Sequence, residues 1–297
     1  MKTPLAAALA LLAVLSASAA APVPERFNRP ASERFAPRAP TLRAESSGRA
    51  APVVLALCPG VQTASEKEDC LLLRLGLIGS QNHDVSGLDL NLFYGGASGA
   101  ERAVQLGAVN IVYGPLTGAQ LGLLNVSGVL QRPNSGAAGF QIGLLGNYAD
   151  SLHGAQAGLL MNRAAGASAG VQLAVGCNFS DRFRGIQLAA VNLQGDDIRG
   201  IQLGVANAGA TDFAGLQLGL VNAGGDRFHG VQVAAANTVG TLDGGLQFGL
   251  ANFAGDAQGW QIGLYNDART LRGVQIGLLN VVDSADLPFL PLVRVAL

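Results

Sequence analysis

The sequence predicts an all-β fold, and within that class a β-solenoid of about fourteen coils of 15 residues. Three observations carry the prediction. A unit of the form Gly, apolar, Gln, apolar, Gly or Ala, apolar, variable, Asn recurs twelve times, the last copy ending at Asn280 of the 297-residue chain, as in GIQLGVAN (Gly200–Asn207), GLQLGLVN (Gly215–Asn222) and GVQIGLLN (Gly273–Asn280). Within each unit the apolar residues alternate at period two, the mark of a strand and not of a helix. The segments between one Asn and the next Gly are 6 or 7 residues long, with one of 13, and never alternate between short and long. Equal connections suit a solenoid, in which every coil is equivalent. An up-and-down outer-membrane β-barrel, the alternative, would join its strands by short turns at one end and longer loops at the other.

Along the chain, residues 1–21 read as a secretory signal peptide: Lys2, an apolar run from Leu5 to Leu15, then small residues from Ser16 to Ala21. The run is shorter than the ~20 residues a spanning helix needs. Residues 22–52 hold six Arg and three Glu among Pro, Ala and Ser, a composition that reads as a disordered arm. Residues 53–297 form the repeat domain, with an N-terminal cap at 53–72 and a C-terminal cap at 284–297, because the open ends of a stacked sheet must be covered. The VSGVLQRPNSGAA segment (Val126–Ala138) reads as a loop extruded between two coils.

Composition narrows the function. The 41 glycines and the scarcity of aromatic residues suit closely stacked backbone, and the formal net charge is -1. With no basic block in the repeats, nucleic acid is excluded as a partner class. Coils this small need a narrow interior, expected to be largely aliphatic, which would leave the Gln column facing outward. Cys58 and Cys70 stand twelve residues apart in a chain expected to enter an oxidising compartment, and spacing alone leaves their pairing open.

The unit GhQhGLhN (h, apolar), with the lead-in LALCPG, the LNLFYGGASG segment (Leu90–Gly99) and the closing PFLPLVRV, resembles a family of exported bacterial surface-repeat proteins found in spirochaetes, Bacteroidetes and other Gram-negative bacteria. The likeness runs from about Val53 to the end. It departs at Asp89, where Gln is expected, and at Ala189 and Ala234, where Gly is commoner. The resemblance implies a cell-surface or outer-membrane-associated location and no established activity.

The polar residues that recur are candidate ladder positions: Gln187, Gln202, Gln217, Gln232, Gln247, Gln261 and Gln275, and Asn192, Asn207, Asn222, Asn237, Asn252, Asn266 and Asn280. Stacked in register, their amides would bond from coil to coil. The Asn is expected to close the corner where the strand turns, and the Gln either to bond along its face or to be read by a partner. Turn aspartates at Asp150, Asp181, Asp196 and Asp226 supply too few carboxylates per coil for a calcium roll. His153 and His229 fall five coils apart, and His83 stands alone, so no triad or acid–base pair is visible. The expected function is therefore that of an exported, non-enzymatic structural or macromolecule-interaction module at the cell surface, outer membrane or periplasm, without metal or cofactor. An outer-membrane barrel acting as a pore or transporter is the alternative.

Overall fold

The computed structural model of the protein describes residues 46–128 and 136–296. The expected signal peptide, most of the arm and the middle of the extruded loop lie outside those residues. Among the described residues there are 22 strands, from β1 (Ala50–Cys58) to β22 (Phe289–Ala296), and no helix. All 22 belong to one continuous sheet.

The topology is a β-solenoid of about 15 turns and not a barrel. Each repeat pairs in parallel with the repeat before and after it: Gln172 stands beside Gln187, Gln187 beside Gln202, and Gln202 beside Gln217, each with its neighbours in step. The Asn column runs beside it, from Asn178 through Asn192, Asn207 and Asn222 to Asn237. The 21-residue spacing between Gln120 and Gln141 leaves this register intact, since Gly118 still faces Gly139 and Asn125 faces Asn147.

One repeat shows how the coil is made. Asp197–Leu203 is one strand and Ala206–Gly209 the next, with a bend at Gly204. Ile198, Gln202 and Asn207 are buried, whereas Arg199, Ile201 and Val205 face outward. Simple alternation would place Arg199 and Ile201 on one face with Gly200 opposite. Gly200 instead adopts φ +142°, a value L side chains avoid, and turns the chain there. A Cβ at Gly200 would also run into the carbonyl oxygen of Gly185 one coil below. Glycine at this place is thus required twice, by dihedral and by space.

The interior departs from expectation. The apolar residues on either side of the Gln were expected inside, and they lie outside. What fills the lumen is the Gln column, the Asn column, an apolar column formed by Leu152, Phe183, Ile198, Phe213, Phe228 and Leu242, and a column of mostly small residues two places past the Asn, among them Ala149, Ala164, Val239, Ala254, Ala268 and Val282. Phe213 and Phe228 stack with ring centroids 5.0 Å apart and planes within 5°. Each coil contributes only about one large apolar side chain to the core. Amides that satisfy one another fill the remainder without the cost of a bare buried polar group.

The ends also differ from the expected boundaries. The first coil is built by β1, which begins at Ala50, inside the expected arm of residues 22–52; Val54 stacks on Arg74 and so adds a turn to the fourteen expected. Val61–Gln62 turns back antiparallel on β1, and Thr63 exchanges hydrogen bonds with Leu55. At the other end β22 pairs antiparallel with the last repeat, Gly273–Val282. Pro291, which has no N–H, and Leu292, at φ +68°, make β22 a poor template for another strand. The thiols of Cys58, Cys70 and Cys177 are free.

Candidate functional site

The recurring amides form two unbroken ladders. In the first, each Gln Nε2 donates to the Oε1 of the Gln one coil nearer the N-terminus: Gln202 to Gln187 at 3.0 Å, Gln217 to Gln202, Gln232 to Gln217, each at 2.8 Å, and onward to Gln275 on Gln261. The second amide hydrogen reaches across the coil to a backbone carbonyl in several repeats, as from Gln247 to Phe253 at 3.2 Å and Gln261 to Asp267 at 3.3 Å. All twelve glutamines of this column, Gln105 to Gln275, are buried. The reading in which a partner contacts the Gln column is therefore overturned, because no surface of the column is presented to one.

The second ladder runs the opposite way. Each Asn Nδ2 donates to the Oδ1 of the Asn one coil nearer the C-terminus, as from Asn192 to Asn207 and Asn207 to Asn222, both 2.8 Å. The same Nδ2 also reaches the carbonyl at the end of the next coil's Gln strand: Leu203 from Asn192, Leu218 from Asn207, Phe248 from Asn237. The bend at each corner thus finds its partner in an Asn side chain. Asn222, Asn237, Asn252, Asn266 and Asn280 take the same places in turn.

Asp89 sets the sense of the Gln ladder. A carboxylate can only accept, so Gln105 must present its amide hydrogens, and it donates to Asp89 Oδ2 at 2.8 Å. Gln120 must then donate to Gln105, and the order passes up the column. Asp89 is held in turn by Arg74, through Nε to Oδ1 at 2.7 Å and Nη2 to Oδ2 at 2.5 Å, both side chains fully buried. Burial disfavours the Arg74 charge, but the adjoining Asp89 outweighs it and raises the guanidinium pKa above its ordinary value. At position 89 the change from Gln is thus the start of the ladder. The opposite ends are bare acceptors, Asn110 Oδ1 and Gln275 Oε1, neither of which has a hydrogen-bond partner.

Glu101 lies in the lumen beside this pair. It occupies the apolar column, stacked between Val85 and Leu116, and neither carboxylate oxygen has a partner. Burial, reinforced by the Asp89 charge and opposed by Arg74, pushes its pKa up to about 8. Its carboxyl is therefore neutral over most of the physiological range.

A second polar cluster was missed by the sequence reading. His83 Nδ1 lies 3.2 Å from Asp69 Oδ1 and 3.2 Å from Asp84 Oδ1. Asp69 Oδ1 also accepts from the Asp84 N–H, and Asp84 Oδ1 from the Ala100 N–H. These carboxylates are thus engaged in joining successive turns. Their 15-residue separation is one coil, and carrying the repeat period back into the degenerate first units would have found them. His153 and His229 remain far apart along the array.

The outer surface divides by chemistry. From Ala103 to Asn280, no span running from the leading Gly (Ala103 in the first) to its Asn contains an Asp, Glu, Lys, Arg or His. The residues flanking each Gln point outward, as do those at the corner, where Val205 is 55%, Leu220 60% and Leu250 59% exposed. Charges gather on the other side of the leading Gly, as with Asp197, Arg199, Asp212 and Arg227. Between the strand row and the corner row lies the recessed Gly or Ala, so the apolar side carries a groove. It opens near the C-terminus into a cleft of about 610 Å³ lined by Phe248, Leu250, Ile262, Leu264, Ile276 and Leu278. Similar clefts recur along the same groove at Leu55–Leu106 and at Ile142–Leu188.

No protein-family model, curated protein or solved structure matches the chain.

Proposed function

We propose that the protein is an exported, non-enzymatic structural module of the bacterial envelope, a rigid rod that works by docking another macromolecule on its apolar side. The observation that carries this reading is the division of the surface: an uninterrupted apolar side along the repeats, with the charges on another. Exposed apolar areas much beyond a few hundred Å² are the usual mark of an interaction surface. The amides support the same reading from within, because their hydrogen-bonding capacity goes to neighbouring coils. Export rests on the sequence of residues 1–21 and the cell-surface assignment on the repeat resemblance.

Expression in a Gram-negative host, cell fractionation and N-terminal sequencing test both parts. The expected product has lost residues 1–21, lies outside the cytoplasm and retains residues 22–297. An unprocessed cytoplasmic product would remove export from the proposal. Charged substitutions at Val205 and Leu220 that change no association of the rod would remove the docking role.

A further inference from the structure

The docking reading leaves open what covers the apolar side, and we infer that it is a second copy of this chain. The inference rests on that reading and adds the partner. Three features point to it.

The first is self-complementarity. The corner residues Val205, Leu220, Leu250 and Leu264 form a ridge, and the recessed Gly204, Gly219, Gly249 and Gly263 form a groove immediately beside it. A two-fold axis lying between the two sides, parallel to the stack of coils, places the ridge of each copy in the groove of the other. That exchange is what a closed dimer interface requires.

The second is size. At ordinary strand dimensions, about 15 coils make a side about 70 Å long, and the span from leading Gly to corner is about 13 Å wide. Two copies joined along it would hide roughly 1,800 Å² between them, within the range of stable specific interfaces.

The third is composition. A surface built to lie in a lipid interface carries Lys or Arg together with Trp and Phe. The spans that make the apolar side from Ala103 to Asn280 contain no Lys or Arg, and Leu, Ile, Val and Ala dominate them, with Phe140, Phe248, Trp260 and Tyr265 as exceptions. A different protein partner would ordinarily be selected by complementary charge, and this side has none. An identical copy matches it in length and chemistry without further provision.

The test is the mass of the full chain in detergent-free buffer, by light scattering over a hundredfold range of concentration. A value twice the chain mass of 30.2 kDa is expected. The L220R/L250R variant places two guanidinium groups in the contact and should raise the dissociation constant at least about a hundredfold. Its far-ultraviolet circular dichroism should be unchanged, and the D212R variant on the charged side should still dimerise. A wild-type chain that stays monomeric overturns the inference, as does a mass that grows without limit, or a dimer that survives L220R/L250R. Flotation with vesicles of phosphatidylcholine and phosphatidylglycerol separates this failure from failure of the docking reading. A monomer that floats, and whose L220R/L250R variant does not, keeps the docking side and replaces the second copy by lipid.

Discussion

The first three coils and the twelve that follow solve the same burial problem with different chemistry. From Gln105 to Gln275 the lumen is neutral, and every amide is matched by an identical amide one coil away. At Arg74 and Asp89 the same column holds a buried ion pair, with Glu101 next to it. The neutral stretch can repeat indefinitely because each coil supplies what its neighbour needs. The charged stretch cannot repeat, but it starts the ladder in one defined direction. A repeat array therefore needs two kinds of coil, and the irregular ones do the specifying.

The largest expected effect breaks the regular region. Gly215→Val forces a β-branched residue into φ +145° and against the Gly200 carbonyl, so it should cost more than about 4 kcal/mol and leave little folded protein at 37 °C. A variant that purifies with unaltered β circular dichroism and melting would show the glycine column to be dispensable. Next, Arg74→Met leaves Asp89 charged, buried and unpaired, for a loss of about 3–5 kcal/mol. Hydrogen exchange should find that loss confined to the first coils. The double variant Arg74→Gln with Asp89→Gln extends the amide ladder over both positions and should restore most of the stability. If it were as unstable as Arg74→Met alone, charge would be needed for more than starting the column.

Gln217→Leu, in mid-array, orphans the Gln202 oxygen and the Gln232 amide, which should cost about 2–4 kcal/mol. Here exchange should quicken on both sides of the site, dividing the rod in two. A melting temperature untouched by this change and by Asn222→Leu would rule out the ladders as a source of stability.

The smallest effect concerns pH. Glu101 has a pKa raised from 4.5 to about 8, so folding favours its protonated form. Its contribution is fully present below about pH 4.5 and is lost as pH rises toward 8. Glu101→Gln should remove that slope and gain on the order of a few kcal/mol at pH 8.5, with little change at pH 4.5. Parallel pH–stability curves for the two proteins would mean that Glu101 titrates as it does in the unfolded chain.

Much of this was legible in the sequence. The repeat, its strands and the equal connections of 6 or 7 residues separate a solenoid from a barrel, and the Gln and Asn columns follow from register. Which face turns inward was not legible. Period two divides Ile201 and Leu203 from Gln202 but carries no sign, and the usual assignment of aliphatic residues to the core favours the wrong one. The deciding feature is the narrow coil, in which the apolar column led by Phe183, Phe213 and Phe228 and the small residues two places past each Asn already fill the space not taken by amides. A clue was nevertheless present: Arg184 and Arg199 each stand one residue before the Gly and Ile186 and Ile201 one after it, so an ordinary strand would put each pair on one face. Only a turn at the glycine gives them separate sides. The cluster of Asp69, His83 and Asp84 escaped notice for another reason, since the repeat consensus is too eroded in the first coils to align by eye.

One consequence of the opposed ladders concerns growth. A single column of aligned amides adds its dipoles head to tail, so every further coil would increase the field at the ends, as it does along a helix. Here the Gln column points one way and the Asn column the other, and the two contributions cancel coil by coil. Duplication or deletion of a 15-residue unit by unequal recombination would then alter the reach of the rod without charging its tips. Length becomes a trait that selection can adjust one coil at a time.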